Sequence, residues 1–372
     1  MISKFAAKLK NLWLFALCLG YWIFRGSAKT APDAVKRVLI FRSKPHVGDM
    51  VYVTPLFRAI KQTHPDARVT LVGGGRVGEV VAGNPDIDEL IPYQGNFFAT
   101  LRRLRRERFD FACLANLGSI EGLALLYLSG AKCVSVFTWM EAGQGTWLYN
   151  RLKRLVVTKP FQSGVYVPPL YLALLDPIQA NTGDAHFRLY YSDKAKNRVL
   201  QLFAENNIDQ QRDLIVGLAV GGSTEDRWWP AERFAALGRY LHEKYKAKLF
   251  LIGAGKDERP ITDTVRHLGD TPVVSLLNQP LDEFKAFIAH SKLIIGNDSG
   301  PMVTADAFDI PNLVLVGPTD EREYHRPPGP LNRIAKAEDK KIGSLTVESV
   351  IKELNIILPA SSFAKLMVGK ND

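Results

Sequence analysis

Cysteine is scarce in this chain: Cys18, Cys113 and Cys133 stand far apart in 372 residues, odd in number and in no ligand-like spacing. That argues against a disulfide framework and against a zinc site, and it fits a reducing compartment. A bilayer-crossing run is also missing, because the apolar stretch from Leu12 to Phe24 falls short of the ~20 residues a crossing needs. No short repeat or low-complexity tract occurs. Acidic residues are absent locally: the first 29 positions hold Lys4, Lys8, Lys10, Arg25 and Lys29 and no Asp or Glu.

The composition itself is that of an ordinary globular protein. A hydrophobic fraction of 47% and a charged fraction of 23% favour neither disorder nor a polytopic membrane protein. A chain of 372 residues is expected to form two domains of ~150 residues each. The formal net charge of +10 points to anionic partners: phosphorylated small molecules, nucleic acid or a membrane surface. The basic apolar segment 1–30 reads as a helix in a membrane interface, with Trp13, Tyr21 and Trp22 at headgroup depth and lysines on anionic lipid. Two readings compete with it: a signal peptide cleaved near Gly26-Ser27-Ala28, and a helix packed on the first domain.

From Lys36 the pattern alternates between apolar strands and amphipathic helices, beginning with strand 37–41, a polar glycine turn, a helix over 50–63 and strand 67–72. Further strands are expected at 109–114 and 131–136. Such alternation implies a parallel sheet covered on both faces. The stretch 159–193 is proline-rich and aperiodic, and a second strand-helix series follows with strands at 214–219, 247–252, 293–295 and 312–316. The expected architecture is α/β: two Rossmann-like doubly wound domains, one over 31–185 and one over 186–345, with a helix and tail over 346–372. Two such domains facing a cleft place function in the loops that follow the strands.

Those loops carry the chemistry. Strand one runs into Arg42-Ser-Lys44-Pro-His-Val-Gly48-Asp49, delivering Asp49 to a helix start, where it can serve as general base toward an acceptor hydroxyl or simply cap the helix. Thr54-Pro55 follows one turn later and reads as a kink lining the same cleft. After the second domain's first strand come Gly221, Gly222, Ser223 and Arg227, ahead of Trp228-Trp229-Pro230. Glycine amides, a hydroxyl and a guanidinium together suit a leaving diphosphate, although a surface turn opening a helix at Ala231 explains them too. Asp257 and Glu258 follow the next strand, where they can accept ribose hydroxyls or cap a helix. Asp298-Ser299-Gly300-Pro301-Met302 feeds another helix, whose free amides and dipole suit a phosphate.

Three further signals read as structure or surface. Gly73 to Gly78 matches a dinucleotide fingerprint but follows the second strand and lacks a downstream acid for a ribose. Asp86 and Asp88 lie in an entry turn to a strand. The run Arg102 to Arg108 is either a solvated helix face or an attractor for a phosphorylated acceptor or anionic lipid.

Taken together, the order and spacing of these loops from Arg37 to Leu354 resemble glycosyltransferase family 9, the lipopolysaccharide heptosyltransferases. The pieces that carry the resemblance are Gly48-Asp49 with Thr54-Pro55-Leu-Phe-Arg58, Gly222-Ser223 to Arg227-Trp-Trp-Pro230, Asn297 to Met302, and Gly317-Pro-Thr-Asp320. It implies a GT-B fold, an ADP-heptose-type donor held by the second domain, and a phosphorylated lipopolysaccharide core acceptor on the first. It also implies an inverting mechanism with neither metal nor cofactor, in the cytoplasm at the inner-membrane surface, with no nucleic acid partner. Asp49 is then the base, and Arg227 replaces a lysine that stabilises the departing diphosphate. Gly222, Ser223, Asp257, Glu258, Asp298, Ser299, Gly300 and Pro301 bind the donor; Arg42, Lys44, Gly48, Thr54 and Arg58 bind the acceptor. Val303 stands where the family pattern usually has histidine. A UDP- or GDP-hexose donor, or a catalytically silent glycan- or nucleotide-binding protein, are the alternative readings.

Overall fold

The computed structural model describes residues 2–43, 47–139, 147–319 and 328–358. The chain divides into two compact units, Met1–His186 and Phe187–Asp372.

The first unit is built on a six-stranded parallel sheet: β1 Arg37–Arg42, β2 Arg68–Gly73, β3 Glu89–Pro92, β4 Phe111–Leu114, β5 Cys133–Trp139 and β6 Val157–Phe161, in the order β3-β2-β1-β4-β5-β6. Its helices are α1 Ile2–Arg25, α2 Val47–Val51, α3 Thr54–Thr63, α4 Val77–Val81, α5 Phe97–Glu107, α6 Ile120–Leu128, α7 Trp147–Leu152 and α8 Val167–Leu172. The central strands are buried along almost their whole length, as strands sandwiched between helices must be.

The second unit repeats the plan. Strands β7 Ile215–Ala219, β8 Lys248–Gly253, β9 Val273–Leu277, β10 Leu293–Asn297, β11 Asn312–Val316 and β12 Asn332–Lys336 pair in parallel in the order β12-β11-β10-β7-β8-β9. Helices α9 Asp193–Glu205, α10 Ala231–Tyr245, α11 Glu258–Leu268, α12 Leu281–His290, α13 Gly300–Ala307 and α14 Val347–Ile357 connect and cover them. Thr346 caps α14 by accepting from the Ser349 amide at 3.2 Å, and Val350 and Leu354 are buried beneath it. Two apolar clusters, one containing Val216, Leu218 and Trp229 and one containing Ile215, Phe250 and Phe287, make up this unit's core. Both sheets therefore reverse strand order once, between β1 and β4 and between β7 and β10, the topology of a Rossmann-like sheet.

One expected element is different in detail. The single helix over 50–63 is two helices, α2 and α3, broken at Tyr52–Val53. Pro55 in the first turn of α3 has no amide to donate backward, and the Thr54 hydroxyl donates to the Val51 carbonyl at 2.7 Å across the break. The amino-terminal helix α1 lies against the first unit: Leu14 and Cys18 join its core, and Arg25 donates to the carbonyls of Gly130 at 2.9 Å and Ala131 at 2.7 Å. Ala28 beyond it is fully buried and forms a bridge with Val156.

Candidate functional site

In the first unit the candidate residues gather where β1 and β4 diverge. Arg42 ends β1 with only 3% of its surface exposed. A buried guanidinium must be paired, and this one is: it donates to the Tyr171 hydroxyl at 2.9 Å, to the Ala115 carbonyl, and to Asp49 across 3.3 Å. Asp49 lies in the first turn of α2 with its side chain 34% exposed, so a buried cation holds the carboxylate from behind while its other side meets solvent. Burial pushes the Tyr171 hydroxyl well above its ordinary pKa, with the Arg42 charge opposing, so it stays a neutral partner. Next to it the Asn116 side-chain oxygen accepts from the Ser43 amide at 2.7 Å. Asn116 Nδ2 and Arg42 Nε are buried and have no partner among the described residues.

The other first-unit candidates are placed differently. Gly48 lies within α2, and Thr54 is buried with its hydroxyl turned to Val51. Arg58 is buried and points to the end of the unit, pairing with Asp184 at 2.7 Å and donating to the His186 carbonyl at 3.0 Å. Lys44 lies outside the described residues.

In the second unit the loops after β7, β8 and β10 are locked together by two buried polar side chains. Asn297, the fully buried last residue of β10, donates to the carbonyls of Val220 at 2.8 Å and Gly221 at 3.1 Å and accepts from the Trp229 amide at 3.0 Å. Trp229 is anchored in turn by its indole N–H on the Leu345 carbonyl at 2.7 Å. Asp257 is buried and accepts from the Gly222 amide at 3.2 Å and the Ala254 amide at 2.9 Å. Gly221 must be glycine, since a β-carbon there would run into the Asp257 carboxylate.

The locked loops present the rest of the candidates. Arg227 stands half-exposed with its guanidinium 3.7 Å from Asp298, so the loops after β7 and β10 meet through this pair. Ser299 precedes α13 and donates to the Asn297 carbonyl at 2.9 Å, and Gly300 and Pro301 open that helix, whose dipole puts positive charge at this edge. Ser223 is exposed beside Gly222. Glu258 lines a pocket of ≈ 400 Å³ with Gly255, Lys256, Arg259, Thr262 and Asp263. Val303 is buried inside α13. Sequence reasoning missed Tyr171, which lies in the proline-rich, aperiodic stretch 159–193, and missed the clasping role of Asn297, whose signal is an amide ending an otherwise apolar strand.

The signals set aside in the sequence are structural here. Asp88 accepts from the Val69 amide at 2.7 Å and from Lys61 at 2.8 Å, and although burial pushes its pKa up, those partners hold it below the ordinary value. A β-carbon on Gly74 would come within 2.9 Å of the Ser43 carbonyl oxygen, which explains that glycine without a dinucleotide. Among the described residues no group of three His, Cys, Asp or Glu side chains is placed to hold a metal ion.

Residues 97–344, more than half of the chain, match the family model described as glycosyltransferase family 9 (heptosyltransferase). The chain is 24% identical over 285 residues to lipopolysaccharide heptosyltransferase 3 of Escherichia coli, covering 73% of this chain and 81% of that protein. The glycosyl transferase family 9 structure from Veillonella parvula superposes with a TM-score of 0.76 at 19% identity, covering 89% of this chain and 99% of that one. The Escherichia coli ADP-heptose lps heptosyltransferase II structure superposes with a TM-score of 0.70 at 19% identity, covering 88% and 99%. At these identities the two structures speak for the fold alone.

Proposed function

The chain belongs to glycosyltransferase family 9, a nucleotide-sugar-dependent glycosyltransferase on a GT-B scaffold, and from that premise we propose that it moves a heptose from an ADP-heptose-type donor to a phosphorylated lipopolysaccharide core acceptor. Its place of action is the cytoplasmic surface of the inner membrane. The observation that carries the reading is the pair of charged constellations at the two sheet reversals: Asp49 backed by Arg42, and Arg227 set against Asp298 at the start of α13.

In the proposed reaction Asp49 removes the proton of the acceptor hydroxyl, the hydroxyl oxygen attacks the anomeric carbon, and the bond from that carbon to the diphosphate oxygen breaks with inversion. The nucleoside diphosphate leaves carrying the negative charge. Arg227 and the amides that open α13 stabilise that charge with dipoles already in place, so a metal is not required chemically. What supports Asp49 as base is its aim: the buried Arg42 leaves one carboxylate face open to solvent. The likeness to lipopolysaccharide heptosyltransferase 3 of Escherichia coli supports heptose as the sugar and lipopolysaccharide as the acceptor class. Asp257 acts on a ribose only through the loops it ties, while Glu258 is exposed and free to accept from ribose hydroxyls.

The test is calorimetric titration without added metal against ADP, UDP and GDP, followed by transfer of labelled heptose to a deacylated core acceptor. Preferential ADP binding with transfer supports the proposal. Preference for UDP or GDP overturns the donor and keeps the transferase, and binding of no nucleotide favours a silent scaffold.

A further inference from the structure

Helix α1 buries one side and leaves the other bare. Leu14 and Cys18 are in the core, with Tyr21 and Arg25 on the same side, whereas Phe5, Leu9, Leu12, Leu19 and Ile23 recur at intervals of three, four and seven residues on the opposite side. These outward side chains are between 40% and 74% exposed, and Trp13 and Trp22 flank them at 46% and 47%. An apolar stripe of this size on one helix is far beyond the scattered apolar residues of an ordinary surface. The stripe extends onto α5, where Phe98 is 56% exposed and stacks edge-on against Trp13 at 5.2 Å.

Charge says what covers it. The first 29 residues hold five basic side chains and no acidic one. From Phe98 the exposed side of α5 continues through Arg102 and Arg106, which make no ion pair among the described residues. The acids nearby are already engaged: Glu121 with Lys10 at 2.8 Å, Glu107 with Arg37 at 2.7 Å, and Glu89 with Arg68 at 3.0 Å. An apolar stripe bearing tryptophans and bordered by these arginines matches a bilayer surface with anionic headgroups, and among the described residues no helix is long and apolar enough to cross one.

The helix is also tied to the candidate site. Lys10 reaches Glu121 at the start of α6, beside Tyr93 just after β3, at the edge where β1 and β4 end and Asp49 is held. Arg25 binds the carbonyls at the far end of α6, so α1 and α6 run parallel and the amino-terminal half of α1 lies at that edge. We propose that the outward face of α1, together with Phe98, docks the protein on anionic lipid and so brings the carboxyl edge of the first sheet to an acceptor anchored in the same bilayer. The second half of this statement rests on the acceptor proposed above; the docking surface does not.

The experiment is flotation of the full-length protein with vesicles of phosphatidylcholine alone or with one third phosphatidylglycerol. The wild-type chain is expected to float with the anionic vesicles and to be released by high salt. Replacing Phe5, Leu12 and Ile23 together by serine should lower partitioning by at least roughly 100-fold, since each inserted side chain is worth about tenfold. Arg102→Glu with Arg106→Glu should lower it about tenfold or more. Thermal unfolding should be unchanged in both variants, because all five positions are exposed. Absence of wild-type flotation, equal flotation of the serine variant, or indifference to headgroup charge overturns the proposal, as does a solution dimer that the serine variant splits into monomers. ADP titration of the same samples separates the two readings: lost nucleotide binding with intact flotation strikes the donor assignment and leaves the docking surface standing.

Discussion

Replacing Asn297 by alanine tests how the second unit holds its loops. The side chain makes three hydrogen bonds in a fully buried setting, two to carbonyls of the loop after β7 and one from the Trp229 amide. Each bond is worth about 1 kcal/mol net, and each backbone group left buried without a partner costs ~1–3 kcal/mol. Some relief comes from water entering the space vacated by the amide, so the expected loss is roughly 3–5 kcal/mol. That is a large share of the ~5–15 kcal/mol that holds a domain folded. The loop set free carries Gly222 and Arg227, so nucleotide affinity should fall as well, by about tenfold or more if ordering that loop then costs ~1.4 kcal/mol on binding. Urea unfolding followed by tryptophan fluorescence reads the first quantity, since Trp228 and Trp229 sit on this loop. Calorimetry with ADP reads the second. A stability loss under ~1 kcal/mol would falsify the view that Asn297 clasps the loops, whatever the protein binds.

Four other outcomes follow from the same structure. Asp49→Asn should lower sugar transfer by ~10²–10⁴-fold while leaving ADP affinity within about twofold, and substantial residual turnover removes Asp49 as base. Arg227→Ala should reduce kcat by ~10²-fold or more and Arg227→Lys by less, because lysine keeps the charge but not the planar fork; equal losses in the two variants would mean that charge is not what matters. Gly221→Ala should destabilise the second unit by ~1–3 kcal/mol in chemical denaturation, because its new methyl group meets the Asp257 carboxylate; an unchanged midpoint refutes that contact. Asp88 and Asp110 are both pushed up by burial but held below 3.8 overall, Asp88 by Lys61 and the Val69 amide, Asp110 by Lys132 and the amides of Lys36 and Arg37. Carboxylates depressed in this way add stability that is complete above 3.8 and lost as pH falls through their lower folded values, so the melting temperature should drop on acidification in that window. Asp88→Asn should flatten the drop, and a variant as acid-sensitive as wild type counts against it.

The strands that the sequence showed and those it hid differ in one physical respect. The central strands β1, β2, β4, β7, β8, β10 and β11 are buried nearly throughout, and a strand covered on both faces reads as a continuous apolar run. The edge strands β6, β9 and β12 are half-exposed, and β6 contains Pro160, which an edge tolerates because one side of the strand needs no partner. Their sequences therefore look like loop, and the end of β6 runs into the proline-rich, aperiodic stretch that begins at residue 159.

The sequence by itself determined what depends on near neighbours along the chain: two series of buried strands, glycine-bearing loops after them, and charged residues at the helix starts that follow. Those features follow from local periodicity and from the backbone demands of turns, which no distant residue has to supply. Tertiary structure alone decided which charges meet. Arg42 and Tyr171 are 129 positions apart and Asn297 and Trp229 are 68 apart, yet each pair is hydrogen-bonded, and the roll of Asp257 as a loop tie depends on an amide 35 positions before it. Likewise, which apolar residues of α1 faced core and which solvent rested on where α6 lay, because the run from Leu12 to Phe24 is apolar all round the helix and acquires an inner face only where a neighbour covers it.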